Sequence, residues 1–158
     1  MAIKLTQELL DAIARQVEGS QWTERAFGSI TVQDEALPSL ALSTAVGRSI
    51  AQLSRDLRVR CIVVLSPTGA GAMAVAAARP AAPMVVVSPD LCACRRQSLL
   101  WGAVPVLAAP AALDDPHLLA RQLAVKLGLA RTGQNILMIA GLESTEIEVA
   151  PSITVLRV

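Results

Sequence analysis

At 158 residues the chain has the length of one domain, enough to bury about 70% of the surface its unfolded form exposes without a disulfide or metal staple. Hydrophobic residues make up 53% of it and aromatics only 2%, so its core has to be built from closely packed Ala, Leu, Val and Ile. With 14 Lys plus Arg against 13 Asp plus Glu for a formal charge of +1, and with Trp22, Trp101 and Phe27 as the aromatics, no nucleic-acid partner is expected.

From the N-terminus, Leu5, Leu9, Ile13 and Val17 recur every fourth residue, the stripe of an amphipathic helix and not the apolar core of a signal peptide. Residues 19–38 are polar enough to form loops. Leu42, Val46, Ile50, Leu53 and Leu57 then mark a second helix, with Arg48, Arg55 and Arg58 on its other faces. Cys61-Ile62-Val63-Val64-Leu65 and Met84-Val85-Val86-Val87 are short and apolar throughout, as expected of parallel strands covered on both faces. The apolar run 69–78 between them is cut off by Arg79, Pro80 and Pro83, well short of the ~20 residues of a membrane span. A soluble, cytoplasmic protein is expected.

Beyond the second strand, Ser88-Pro89-Asp90 supplies a cap and a first-turn proline for a helix, with Gly102 near its end. Asp115-Pro116 opens another, striped by Leu119, Leu123 and Leu127 and stopped near Gly128. Ala103-Val104-Pro105-Val106-Leu107 and Ile136-Leu137-Met138-Ile139-Ala140 are two further strands. Pro105 lacks an amide donor and places the first of them at a sheet margin. The last run, Ile153-Thr154-Val155-Leu156-Arg157-Val158, follows a connection too short for a parallel crossover and has to pair antiparallel. The reading is a single domain over residues 1–158 of the α/β class. It is a three-layer, doubly wound sheet of about five strands, four parallel and the last antiparallel, with helices on both faces.

The stretch with chemical potential is Ser66-Pro67-Thr68-Gly69-Ala70-Gly71-Ala72, at the carboxyl end of the first strand, where parallel sheets present their ligand sites. Ser66, Thr68, Gly69 and Gly71 are the candidate phosphate-binding residues. Their hydroxyls and unhindered backbone meet the positive end of the following helix. A strand-to-helix turn without a ligand is the alternative, since the stretch is neither a dinucleotide fingerprint nor a phosphate loop ending in Lys-Ser/Thr. Cys61, Cys92 and Cys94 lack the partners of a tetrahedral metal set, and His117 reads as an exposed first-turn residue. No catalytic residue, metal ligand or cofactor is assigned.

Residues 65–88 resemble the most recognisable segment of the pyruvate kinase C-terminal domain. In that family a strand ends in a hydroxyl- and glycine-containing loop, and a helix, an Arg-Pro-x-Ala-Pro stretch and a second strand follow. Arg79-Pro80-Ala81-Ala82-Pro83 stands for the proline-rich link, Arg95 for a helix arginine, and Trp101-Gly102-Ala103-Val104-Pro105-Val106-Leu107 is similar to a Trp-Gly-Val-x-Pro-hydrophobic pattern. Ile30-Thr31 and residues 128–158 extend the resemblance to both ends. It implies a regulatory and oligomerisation domain, without the family's catalytic barrel. The partners implied are copies of itself or a barrel portion, with a sugar-phosphate or nucleotide as effector.

The departures sit in the loop. Pro67 and Ala70 replace the family's phosphate-binding cations and Gly71 a hydroxyl position, while Glu143, Glu146 and Glu148 occupy a second loop that closes over the effector in the family. The effector loop therefore reads as degenerate. Two other functions stay open: an enzyme of unknown reaction using Ser66 or Thr68, and a purely structural interaction module.

Overall fold

The computed structural model describes residues 12, 13, 15, 16, 41–142 and 150–158. The chain divides into two compact units, Met1–Ser39 and Leu40–Val158. In the first, Ala12, Ile13, Arg15 and Gln16 are helical. Leu5, Leu9, Val17, the expected loops of 19–38, Ile30-Thr31 and the three glutamates of 143–149 lie outside the described residues.

Among the described residues the second unit carries five strands: β1 (Ile62–Leu65), β2 (Met84–Ser88), β3 (Ala103–Leu107), β4 (Asn135–Ala140) and β5 (Ser152–Arg157). They form one sheet in the order β3-β2-β1-β4-β5. β1 pairs parallel with β2 and β4, β2 pairs parallel with β3, and β5 lies antiparallel to β4. Pro105 sits on the edge strand β3, opposite Val86, where its missing donor faces no second neighbour. The four parallel strands and the antiparallel closing strand agree with the sequence reading.

Four α-helices and a short 3-10 turn at Pro110–Leu113 accompany the sheet among the described residues: α1 (Leu42–Asp56), α2 (Ala70–Ala77), α3 (Leu91–Gln97) and α4 (Pro116–Lys126). Because side chains alternate along a strand, the sheet divides its core in two. Ile62, Val64, Met84, Val86, Leu137 and Ile139 face Ile50, Ala72, Val75 and Ala76 of α1 and α2. Cys61, Val63, Val85, Val87, Ile136 and Met138 face Ala120, Leu123 and Ala124 of α4. Each fully buried Val, Leu or Ile contributes about 1.5–3 kcal/mol by leaving water.

Small residues let α1 and α2 pack closely. A Cβ on Gly47 would fall 2.8 Å from the Ala74 carbonyl oxygen, so glycine is required by approach, not by φ. Ser54, 1% exposed, donates to the Ala51 carbonyl at 2.8 Å and accepts the Ala81 N–H at 3.0 Å, tying α1 to the link before β2.

Several sequence expectations shift in detail. Asp90 caps α3 by accepting the N–H groups of Cys92 and Ala93 at 2.9 and 3.2 Å, so Pro89 precedes the cap instead of opening the helix. Gly102 (φ +68) lies past the Ser98 cap of α3 and feeds β3, its carbonyl accepting the Met84 N–H at 2.8 Å. In α4, Asp115 caps through the Leu118 N–H at 3.0 Å and Pro116 is the first residue, as read. Its buried face, however, is Ala120, Leu123 and Ala124, with Leu127 left 40% exposed. In α1, Leu42 and Leu57 are likewise exposed, and the buried face centres on Gly47, Ile50, Ala51 and Ser54. The small residues, not the leucines at the helix ends, make the closest approaches.

Candidate functional site

The glycine loop stands at the carboxyl ends of β1 and β2. Ser66 continues the sheet ladder through its N–H to the Val87 carbonyl at 3.0 Å. Its hydroxyl, 0% exposed, accepts the Ala72 N–H at 3.1 Å. That amide is one of the first-turn donors an α-helix cannot satisfy internally, so Ser66 caps α2 from three residues before its N-cap. Ser88, also fully buried, donates to the Pro67 carbonyl at 2.9 Å and accepts the Asp90 N–H at 3.1 Å. The loops after β1 and β2 are thereby joined.

Gly69 is the N-cap of α2 with φ +97, a left-handed conformation that an L side chain enters only under strain. A Cβ there would also come within 3.3 Å of the Gln97 side-chain nitrogen. Thr68 is exposed, and its Oγ1 accepts the Ala70 N–H at 3.4 Å, a long contact. Gly71 is buried within the first turn of α2. Of the four sequence candidates, Thr68 and Gly69 therefore face a depression at the surface, whereas Ser66 and Gly71 lie beneath it.

Gln97 was not singled out by the sequence, and it holds the loop from the α3 side. It is 2% exposed, its Nε2 donates to the Ser66 carbonyl at 2.9 Å, and its Oε1 has no hydrogen-bond partner among the described residues. A signal was available: Ala93, Cys94 and Gln97 share one helical face, and a carboxamide on the buried face of a short helix has to bond something. The depression above it, about 280 Å3, lies between α2 and α3 and is lined by Thr68, Gly69, Ala70, Met73, Arg96, Gln97 and Leu100. Arg96 is its cation.

A larger groove of about 770 Å3 opens between the starts of α1 and α2, with Gly141, Leu142 and Pro151 at one end and Arg48 as the charged residue of its lining. α1 has no side-chain cap, its N-cap being Ala41. The walls are otherwise largely apolar, including Leu42, Met73 and Ala77.

Elsewhere, burial raises the Cys61 thiol to about 11, which makes it an inert core residue. Cys94 is buried, Cys92 is exposed and all three thiols are free. His117 is exposed in the first turn of α4. Among the described residues no group of three or more His, Cys, Asp or Glu could hold a metal ion, and no helix is long and apolar enough to cross a membrane.

The family model of the pyruvate kinase alpha/beta domain matches residues 44–155, from the first turn of α1 into β5. A pyruvate kinase of Methylorubrum extorquens is 27% identical over 133 residues, covering 84% of this chain and 27% of the relative. One of Staphylococcus haemolyticus is 31% identical over 111 residues, covering 70% and 19%. Two solved structures of Cryptosporidium parvum pyruvate kinase share the fold. One, determined in complex with ADP, superposes with a TM-score of 0.63 at 16% identity over 77% of this chain and 25% of its own. The second gives a TM-score of 0.65 at 15% identity over 77% and 23%. The chain spans about a quarter of the length of these relatives. On the match across all five strands, the chain belongs to the family of pyruvate kinase alpha/beta domains.

Proposed function

We propose that this chain is a non-catalytic assembly and regulatory domain of a pyruvate kinase or pyruvate-kinase-like protein, with phosphoryl transfer left to a barrel outside its 158 residues. The observation that carries the reading is the sheet edge formed by β5. β3, the opposite edge, is blunted by Pro105, whereas β5 runs six residues without proline and leaves Val155 48% exposed. Among the described residues β4 is its one strand neighbour, and an antiparallel edge without proline is a template for pairing with another strand. A second copy of the domain, or the rest of a pyruvate kinase, is the partner of matching chemistry.

The glycine loop supports assembly over phosphate sensing. A phosphate site needs donors aimed outward and, in most cases, a cation. Here the Ser66 hydroxyl is turned inward onto Ala72, and Pro67 and Ala70 stand where cations would be useful. A second reading keeps a sugar-phosphate or nucleotide effector at Ser66, Thr68, Gly69 and Gly71. It is favoured by the exposure of Thr68 beside the N-terminus of α2.

Sedimentation velocity across the micromolar range, with Val155→Lys as comparison, tests the first reading. Concentration-dependent association that Val155→Lys weakens supports it, and a monomer throughout contradicts it. Thermal unfolding with fructose phosphates and nucleotides tests the second, since a ligand of the native state raises the transition temperature. No shift leaves the loop as a strand-to-helix turn.

A further inference from the structure

Four exposed arginines, Arg58, Arg60, Arg131 and Arg157, gather at the amino end of the parallel strands, opposite the glycine loop. The Arg60 N–H extends the β1 ladder to the Asn135 carbonyl at 2.9 Å, and Asn135 pairs in register with Arg157. Ile62 and Leu137, two residues further along, belong to the core beneath α1 and α2, so alternation turns Arg60 and Arg157 to that same side. Two strand spacings, about 10 Å, separate their backbones. Arg58 lies where α1 hands the chain to β1. Arg131 stands in the turn that opens β4, its N–H donating to Gln134 Oε1 at 2.8 Å.

The charge is placed at a cost and left unneutralised. Arg58 holds φ +47 just past the end of α1, where glycine is the unstrained residue. Arg157 is held in place by its Nε, which donates to the Gly133 carbonyl at 3.1 Å, and its outer Nη donors remain for a partner. None of the four arginines has a side-chain carboxylate partner among the described residues. The acid nearest in sequence, Asp56, accepts from Gln52 Nε2 at 2.8 Å with both oxygens, while Asp90 and Asp115 cap helices at the other end of the sheet. Complementing a helix dipole accounts for Arg58 at most, because Arg60, Arg131 and Arg157 lie outside the helices.

We propose that this end of the domain docks an acidic segment of a partner protein. Arginine forks pair with carboxylates through two parallel hydrogen bonds. Leu57, 37% exposed beside Arg58, adds the apolar contact that protein interfaces combine with arginine. Nucleic acid is the poorer match: Trp101, the one aromatic among the described residues, stands by the β3 edge with Arg79 over its ring at 5.1 Å, so the four arginines have no stacking platform beside them. Arg58 and Arg60 lie off the β5 edge and away from the glycine loop, so docking on the monomer stands or falls apart from both readings above.

The test is fluorescence anisotropy with a short labelled peptide of Glu and Leu, its Gln-for-Glu version and a single-stranded DNA of matching charge, at chain concentrations that keep the monomer. The expected result is binding of the Glu peptide in preference to both controls, weakened about tenfold by Arg60→Glu or Arg157→Glu, the usual effect of losing one charge-assisted hydrogen bond. Arg58→Gly should weaken binding while raising the unfolding midpoint, so that loss of fold cannot account for the effect. Arg96→Glu, which removes the same net charge on α3, should leave binding within about twofold at physiological salt. No binding of the Glu peptide at low ionic strength, equal weakening by Arg96→Glu and Arg60→Glu, or a control bound as tightly as the Glu peptide overturns the proposal.

Discussion

Replacing Gly47 separates intrinsic helix propensity from helix packing, because the two act in opposite directions there. Gly47 lies inside α1, where alanine is favoured over glycine by about 1 kcal/mol. In the structure, however, an added Cβ falls 2.8 Å from the Ala74 carbonyl oxygen and 3.5 Å from the Ala78 Cβ. The first contact is with backbone, so relief requires α1 and α2 to separate by about 0.6 Å to reach ordinary contact near 3.4 Å. That movement loosens Ile50, Val75 and Ala76 in the shared core. Overpacking of this kind costs about 1–3 kcal/mol, leaving Gly47→Ala less stable by about 1 kcal/mol after the propensity gain. Gly47→Val regains less propensity and adds two methyls to the clash, so its loss should approach about 3 kcal/mol. Thermal unfolding should show the midpoint falling by about 3–6 °C per kcal/mol for a unit of this size. A Gly47→Ala variant as stable as the unaltered chain, with Gly47→Val no worse, would refute the close approach of α1 and α2.

The remaining expectations concern the loop, the backbone and the thiols. Ser66→Ala removes the acceptor of the buried Ala72 N–H and should cost about 1–2 kcal/mol in urea unfolding; unchanged stability would mean the hydroxyl is not the cap of α2. Arg58 and Arg79 have φ of +47 and +50, so Arg58→Gly should stabilise by about 0.5–1 kcal/mol through relief of left-handed strain. Arg79→Gly should gain less, because Arg79 also sits 5.1 Å from the centre of the Trp101 ring and the cation–π contact is lost; equal gains would assign that contact no energy. At mildly alkaline pH a thiol reagent should modify Cys92 quickly, and Cys61 and Cys94 only on unfolding, as read by peptide mapping. The Cys61 pKa is raised from 9.0 in the unfolded chain to about 11 in the fold, so its contribution is complete below pH 9 and lost as pH rises toward 11. Cys61→Val should flatten that part of the stability curve, and an unchanged alkaline slope would assign it to other groups.

The parallel strands were legible because each is a short apolar run, and in β1, β2 and β4 the residues are buried on both faces of the sheet: Ile62 and Val64 toward α1 and α2, Cys61 and Val63 toward α4. Pro105 located an edge and the short final connection gave β5 its direction. Helix faces were less legible. A spacing of four among leucines marks a stripe, but alanine and glycine carry most of the contacts, and the leucine count placed Leu42, Leu57 and Leu127 inward when they are exposed. The glycine loop was found from its composition and position, yet the direction of the Ser66 hydroxyl depends on the Ala72 amide closing over it, a tertiary fact. Gln97 escaped notice because its partner, the Ser66 carbonyl, lies 31 residues away in sequence.

The proposed assembly role is supported by the β5 edge and by a Ser66 hydroxyl that accepts the Ala72 N–H. Sedimentation equilibrium of the chain, with and without Val155→Lys, tests it most directly. The expected result is association in the micromolar range that the charged edge residue weakens without altering the thermal transition of the monomer. A chain that stays monomeric at every concentration, or that associates equally with lysine at position 155, would contradict it.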